Sequence, residues 1–460
     1  MVSRLPRIYR AIWSMIFFGS IGSCGMINII EKFLFIGKIT NDNREEYPAL
    51  VNLEYDKYDP RVLNCRLALE NVSNHLDILK NRQLNPRITG QLATGETIQI
   101  KYWNYSYEFY RSTKRCNIDL GVDTISIGFF GDIPFVSGKY SIIITLLNAP
   151  SVRVDGAINL SEPGEITEKR KEDDGISMQS DLGDIIIGNY YDFEKTKYGI
   201  EDAYLRIEKT KIFINNTIDH SINAEKLIAQ AEKEIKDILV LLSFINRRFI
   251  HWYEIKAYFI SEDSIYSITK KRKVHRPADV SEDPLFYQKT LKDGLLSELV
   301  QAYRKSGLKD TITNAIKSLI ASYEEDTIDS KLKDVYSAID AITNKLSEKH
   351  NILYSYSPNG KKNKVPIYKR VYQIISDIYK IGRWDFGNPD KIDLESTICD
   401  IFKRRNATMH EAIIDLDRSY ADLCRLSALC ERMILAELGF NDYDKYSGNA
   451  YWKLRSISKF

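Results

Sequence analysis

The sequence predicts an α+β fold: a β-rich N-terminal domain followed by an all-α C-terminal helical bundle. Three observations carry this expectation. From about residue 33 to 220, short apolar runs alternate with polar residues at period two, separated by Gly, Asn and Ser clusters. Ala224 to Phe249 places Leu227, Ile228, Ala231, Ile235, Ile238, Leu239 and Leu242 on one helical stripe. From Pro284 onwards the helical period dominates. A chain of 460 residues can fill two or three cores. The composition shifts divide it into an apolar segment 1–30, a β-rich domain 31–222, a linker helix with short strands 223–283, a helical domain 284–440 and a tail 441–460.

Taken in order, Arg4, Arg7 and Arg10 precede Ala11 to Ile30, a span with no formal charge and long enough to cross a bilayer. Ile21-Gly22-Ser23-Cys24 has the form of a lipoprotein cleavage box, and Met26 offers an alternative start. A cytoplasmic location is expected, with membrane anchoring through residues 11–30 as the alternative. Ile88 to Tyr102, turning at Ala93-Thr94-Gly95-Glu96, predicts a β-hairpin. Further strands are expected at Thr124–Phe130, Tyr140–Leu147, Ser151–Val154, Asp184–Ile187, Leu205–Ile207 and Lys211–Ile214. Ser161 to Gly183 lacks periodicity and is expected to be a loop. Tyr102, Tyr105, Tyr107 and Tyr110 suit a filled sheet face better than base stacking.

After the helix at 224–249 come two strand-like runs and then Lys270-Lys-Arg-Lys-Val-His-Arg276. This basic run suits a solvated loop first, and a phosphate-binding patch or import signal second. Helices are expected at 284–305, 308–323, 328–348, 366–381, 393–403 and 405–438, punctuated by Gly307, the Ser357–Lys362 loop, Gly387-Asn388-Pro389 and Gly439.

Composition narrows the chemistry. The formal net charge is +2, so no global field selects a polyanionic partner. The 6 cysteines are scattered without a C-x-x-C pair, which argues against a zinc site or disulfide framework and fits a reducing compartment. Phosphate-binding loops, dinucleotide fingerprints, H-E-x-x-H and G-x-S-x-G are absent from the sequence. No cofactor and no metal are expected.

The candidate site is Arg405-Asn406-Ala407-Thr408-Met409-His410, expected to open the last long helix. Ile413, Leu416, Tyr420, Leu423, Leu426, Cys430 and Ile434 recur at helical spacing, and the stripe extends back through Met409 and His410 to Asn406. Asn406 and His410, about 40° apart on an ideal helix, are therefore expected to point inward, whereas Arg405 lies about 140° from His410. The arginine and histidine therefore converge only if the helix begins there or if an interface completes the site. The ordinary alternative is a satisfied core histidine and an arginine at a helix start. Upstream, Asp340 interrupts the apolar stripe Val335, Ile339, Ile342 and Leu346. It needs a cationic or hydrogen-bonded partner if buried, for which Arg405 is a candidate, or else a place at the helix edge in water.

The R-N-x-x-x-H pattern resembles the signature of HEPN domains, and Ala338-Ile339-Asp340-Ala341-Ile342 is similar to the family's early helix, with aspartate in place of its usual glutamate. Thr408 and Met409 depart from the family's apolar pair, and Glu411 follows at once. The resemblance implies a HEPN-like bundle acting as a metal-independent endoribonuclease. Arg405 would grip a phosphate, Asn406 would hold the backbone or the imidazole, and His410 would transfer the proton. Lys403 and Arg404 would add charge for RNA approach, and Asp340 would supply the family's carboxylate. The expected partners are an RNA substrate and a second copy of the chain, as a homodimer through the helical domain. A β-rich half before such a domain is similar to abortive-infection proteins of the ApeA type, which implies anti-phage or toxin activity with the β domain sensing or restraining. Two alternatives stand beside it: a non-catalytic dimerisation or nucleotide-binding module, and a membrane-tethered sensor.

Overall fold

The computed structural model describes residues 30–40, 46–56, 60–69, 87–110, 115–133, 138–147, 149, 159–161, 165–167, 175–198, 201–218, 221–260, 264–274, 285, 294–325, 327–357, 359–379, 394–411 and 416–440. The apolar N-terminal segment, the C-terminal tail and the strand expected at 151–154 lie outside them. No helix among the described residues is long and apolar enough to cross a membrane. The chain forms two compact units: Met1–Thr145 with Asn216–Ile228 and Trp252–Pro277, and the remainder.

The first unit is built on alternation. Strands β1 (Ile30–Thr40), β2 (Glu46–Asp56), β3 (Leu63–Leu69), β4 (Arg87–Gln91), β5 (Thr97–Tyr110) and β6 (Arg115–Gly128) pair antiparallel in the order β6-β3-β2-β1-β4-β5, and β5 returns to β6 to close the ring. Closure removes the exposed edges, and a barrel this small is filled by its own side chains. Val51, Leu53, Leu67, Ile98, Ile100, Ile118 and Val122 are among those buried inside. Gly37 sits opposite Gly90 where β1 meets β4. A Cβ on Gly37 would stand 2.8 Å from a Val51 methyl, and one on Gly90 would stand 2.5 Å from the Phe35 ring. These two positions have no room for a side chain. The expected hairpin is β4–β5, closed by Leu92 N–H to Glu96 O at 2.8 Å.

The 14 residues of β6 serve two neighbours along one edge: β3 pairs with Cys116–Leu120, and β16 (Ile265–Arg272) pairs with Thr124–Gly128. β16 in turn pairs with β15 (His251–Ile260), which borders β8 (Gly138–Leu147). The expected linker at 223–283 is thereby corrected: its strands belong to the first unit's sheet. The start of the basic run is corrected likewise, because Lys270, Lys271 and Arg272 are strand residues with alternating environments. Lys270 and Arg272 lie 5.7 and 4.7 Å from the Trp252 ring centroid, and Lys271 lies 4.1 Å over Tyr55 and 3.0 Å from Glu254. Burial pushes the Glu254 carboxyl up, but Lys271 and Lys256 outweigh it and hold the group below its ordinary value. β7 (Asp132–Ile133) and β14 (Ile222–Asn223) form a small pair beside the barrel.

The second unit begins with β9 (Asn159–Ser161), β10 (Glu165–Thr167) and a meander of β11 (Ile176–Ser180), β12 (Gly183–Tyr198) and β13 (Glu201–Ile218), the last running on into the first unit's residues. The loop expected between Ser161 and Gly183 is thus partly strand. Ile176 and Met178 alternate inward, and their register places them opposite Ile187 and Ile185.

Helix α1 (Ala224–Asn246) enters this unit from Ala229, and α2 (Leu296–Lys305), α3 (Lys309–Glu324), α4 (Ile328–Lys349), α5 (Ile367–Gln373), α6 (Leu394–Glu411) and α7 (Leu416–Glu437) follow. A single π-helical turn, Ile374–Ile378, extends α5. α3 packs on α4 and α4 on α7, around Ile316, Leu319, Val335, Ile339, Ile342, Leu346, Leu426, Met433 and Ile434.

Three of these helices end in the same hydrogen-bonded cap, with a left-handed residue one or two positions past the helix. Gly439 has φ 84° after α7 and Asn351 has φ 57° after α4, the residue types that adopt this conformation at low cost. The third is Arg247, with φ 52° after α1. Its N–H donates to Phe244 O at 3.3 Å, and Arg248 N–H donates to Ser243 O at 3.2 Å. The side chain explains the exception. The Arg247 guanidinium is fully buried and grips the buried Glu431 carboxylate of α7 with two bonds, at 2.6 and 2.7 Å, while Tyr323 Oη donates to the same carboxylate at 2.6 Å.

Candidate active site on the sixth helix

The motif does not open a helix. α6 runs unbroken through Arg405, Asn406 and His410 and ends at Glu411, and the next helix begins at Leu416. The division expected at 403–405 is absent, because the helix continues through those residues. Arg404 to Glu411 contains neither Gly nor Pro, so nothing local halts the helix there. Side chains at 405–411 lie outside the described residues, and the backbone alone places them. On a continuous helix Arg405 falls within about 20° of Ile398 and 40° of Ile401, both buried. Asn406 and His410 fall on one flank together with Lys403, within about 60° of each other. Of the two routes to convergence stated above, the helix start is removed.

α6 is seated on α4 by Tyr336, whose hydroxyl donates to Ile401 O at 3.3 Å and whose ring lies 5.9 Å from that of Phe402. One and two turns further along α4 come Asp340 and Asn344. Asn344 Oδ1 accepts from Arg370 Nη1 at 2.8 Å, and Arg370 Nε donates to Val365 O at 2.9 Å. Burial pushes the Arg370 guanidinium below its ordinary value, and the negative charge of Asp340 pushes it back up. Arg370 of α5, a residue the sequence did not single out, thus lies within the field of Asp340. Asp340 itself is half-buried on the helix flank.

Arg404 has a structural task. Its Nε and Nη2 meet the two oxygens of Asp422 on α7 at 2.7 and 2.8 Å, and Asp422 is 3 % exposed. The hydrogen bonds to Asp422 hold the Arg404 guanidinium above its ordinary value. This clasp also turns α7: Ser419 and Asp422 face inward, and Tyr420, expected on the apolar stripe, is 54 % exposed. Lys403 is exposed and lies 3.3 Å from Asp400. Among the predicted site residues the described contacts join Arg404 to Asp422 of α7 and Lys403 to Asp400.

No group of three or more His, Cys, Asp or Glu residues placed to hold a metal ion occurs among the described residues. A cleft of about 820 Å³ elsewhere in this unit is lined by Glu234, Asp237 and Lys309 among others. Its charges answer one another, with Lys309 at 2.7 Å from Asp237 and Arg304 at 2.8 Å from Glu234. No protein family model, no curated protein and no solved structure matches this chain.

Proposed function

We propose that the helical unit is a metal-independent endoribonuclease whose active site is shared by two copies of the chain. The observation that carries this reading is the placement of Asn406 and His410 one turn apart on the flank of an unbroken α6, beside the exposed Lys403. Arg405 lies about 140° away from His410 on the same helix, so the arginine of one copy serves the histidine of the other. A base takes the proton from a 2′-hydroxyl, the freed oxygen attacks the adjacent phosphorus, and an acid delivers a proton to the departing 5′-oxygen. Arg405 neutralises the charge that builds on the phosphorane. The products are a 2′,3′-cyclic phosphate and a free 5′-hydroxyl. The RNA is cellular, the setting is cytoplasmic anti-phage defence or toxin action, and the β-rich unit senses or restrains.

Two outcomes test it. Cleavage proceeds undiminished in excess EDTA and leaves cyclic phosphate ends; loss of activity on chelation, restored by Mg²⁺ or Mn²⁺, means a metal mechanism instead. Arg405→Ala and His410→Ala chains, co-expressed with different tags and purified as the mixed dimer, recover a sizeable fraction of wild-type activity, because one composite site is whole. A mixed dimer as inert as its parents, or a fully active monomer, rejects the shared site.

A further inference from the structure

Between α4 and α5 the chain forms a small ribbon. β17 (Tyr354–Tyr356) and β18 (Lys362–Lys364) pair antiparallel, with Tyr354 opposite Lys364 and Tyr356 opposite Lys362. Directly opposed residues share a face of a ribbon, as do residues two apart. Tyr354, Tyr356, Lys362 and Lys364 therefore occupy one face, and Ser355 and Asn363 the other. Every one of these residues is exposed, Tyr356 at 70 % and Tyr354 at 42 %.

The ribbon is well closed. Ser357 N–H donates to Lys361 O at 2.9 Å, Gly360 N–H to Ser357 O at 2.8 Å, and at the base Val365 N–H donates to Leu353 O at 3.0 Å. Arg370, anchored on Asn344, also holds Val365 O, so the outgoing strand is tied to α4. The Lys362 ammonium lies 3.8 Å from the Tyr354 ring centroid, which sets cation and ring side by side. No Asp or Glu occurs from His350 to Ser376, a stretch that holds Lys361, Lys362, Lys364, Lys369 and Arg370.

Cations alone would suit any polyanion, and exposed rings alone would suit many partners. The two together, on one face and without a carboxylate in the stretch, match a chain of phosphates bearing flat apolar bases. Rings on a ribbon stack only on unpaired bases, which selects a single strand over a duplex. We infer that the β17–β18 ribbon binds single-stranded RNA, with bases stacked on Tyr354 and Tyr356 and phosphates held by Lys362 and Lys364. The choice of RNA over DNA rests on the ribonuclease reading; the stacking face does not.

The test is fluorescence anisotropy of the full chain with a labelled 2′-O-methyl oligouridine, which 2′-hydroxyl chemistry cannot cut. Tyr354→Ala/Tyr356→Ala weakens binding about 10-fold or more with the salt dependence unchanged. Lys362→Ala/Lys364→Ala lowers the slope of log K against log salt by about 1 to 2. Thermal melts of both variants match wild type, since all four side chains are exposed. Wild-type affinity in the tyrosine variant overturns the proposal, as does equally tight binding of a duplex of the same length. Tyrosine-dependent binding that favours the deoxy oligomer overturns the choice of RNA. A chain that binds through the tyrosines but never cuts RNA removes the ribonuclease reading and leaves the ribbon. Wild-type cleavage and binding by the tyrosine variant do the reverse.

Discussion

Glu431→Leu is expected to destabilise the helical unit by about 3–5 kcal/mol, because it strands the Arg247 charge in the core. Both side chains of the pair are fully buried, and the carboxylate also accepts from Tyr323. The loss is dominated by the uncompensated cation rather than by the pair's net worth, since desolvating two charges consumes much of their mutual attraction. The double variant Arg247→Met/Glu431→Leu therefore recovers most of the stability lost by the single one. Urea denaturation followed by helical circular dichroism measures both. A single variant as stable as wild type, or a double variant no better than the single, contradicts this account of the core.

His410→Ala is expected to cut RNA cleavage by about 10² to 10⁴, the usual contribution of a positioned proton-transfer group. Folding should survive, since position 410 lies within helical backbone and alanine is the best helix former. The purified variant is compared with wild type on a labelled RNA under single-turnover conditions, with its melting curve alongside. An unchanged rate would remove His410 from the chemistry; a lost rate accompanied by a collapsed melt would assign it to the core.

The fold class was legible because period two and period 3.6 are properties of short windows. The β4–β5 hairpin and the ends of α3 and α4 followed from such windows. Barrel closure was not legible, because it depends on β3 meeting β6 and β4 meeting β1, and partners distant in the chain leave no local signal. For the same reason β15 and β16 read as a linker: their neighbours β8 and β6 lie more than a hundred residues earlier. At the site, Asp340 stood out as a carboxylate in an apolar stripe. Glu431 carries the same signal, between Cys430 and the Met433-Ile434 pair, but belongs to no motif. Arg404 was assigned to RNA approach by proximity to Arg405, whereas its bidentate partner Asp422 lies on another helix.

The left-handed cap at Arg247 has a bearing on synthesis. Its partner Glu431 lies 184 residues later. At about 5–20 residues per second, a ribosome needs roughly 10 to 40 s to supply it. During that interval α1 has already emerged with an arginine at a capping position that favours glycine, and nothing yet offsets the cost. α7, which also carries the Asp422 clasp for α6, is the last helix among the described residues. The helical unit thus closes only once α7 has been made, so a chain that stops before α7 carries the motif residues without the bundle that would position them.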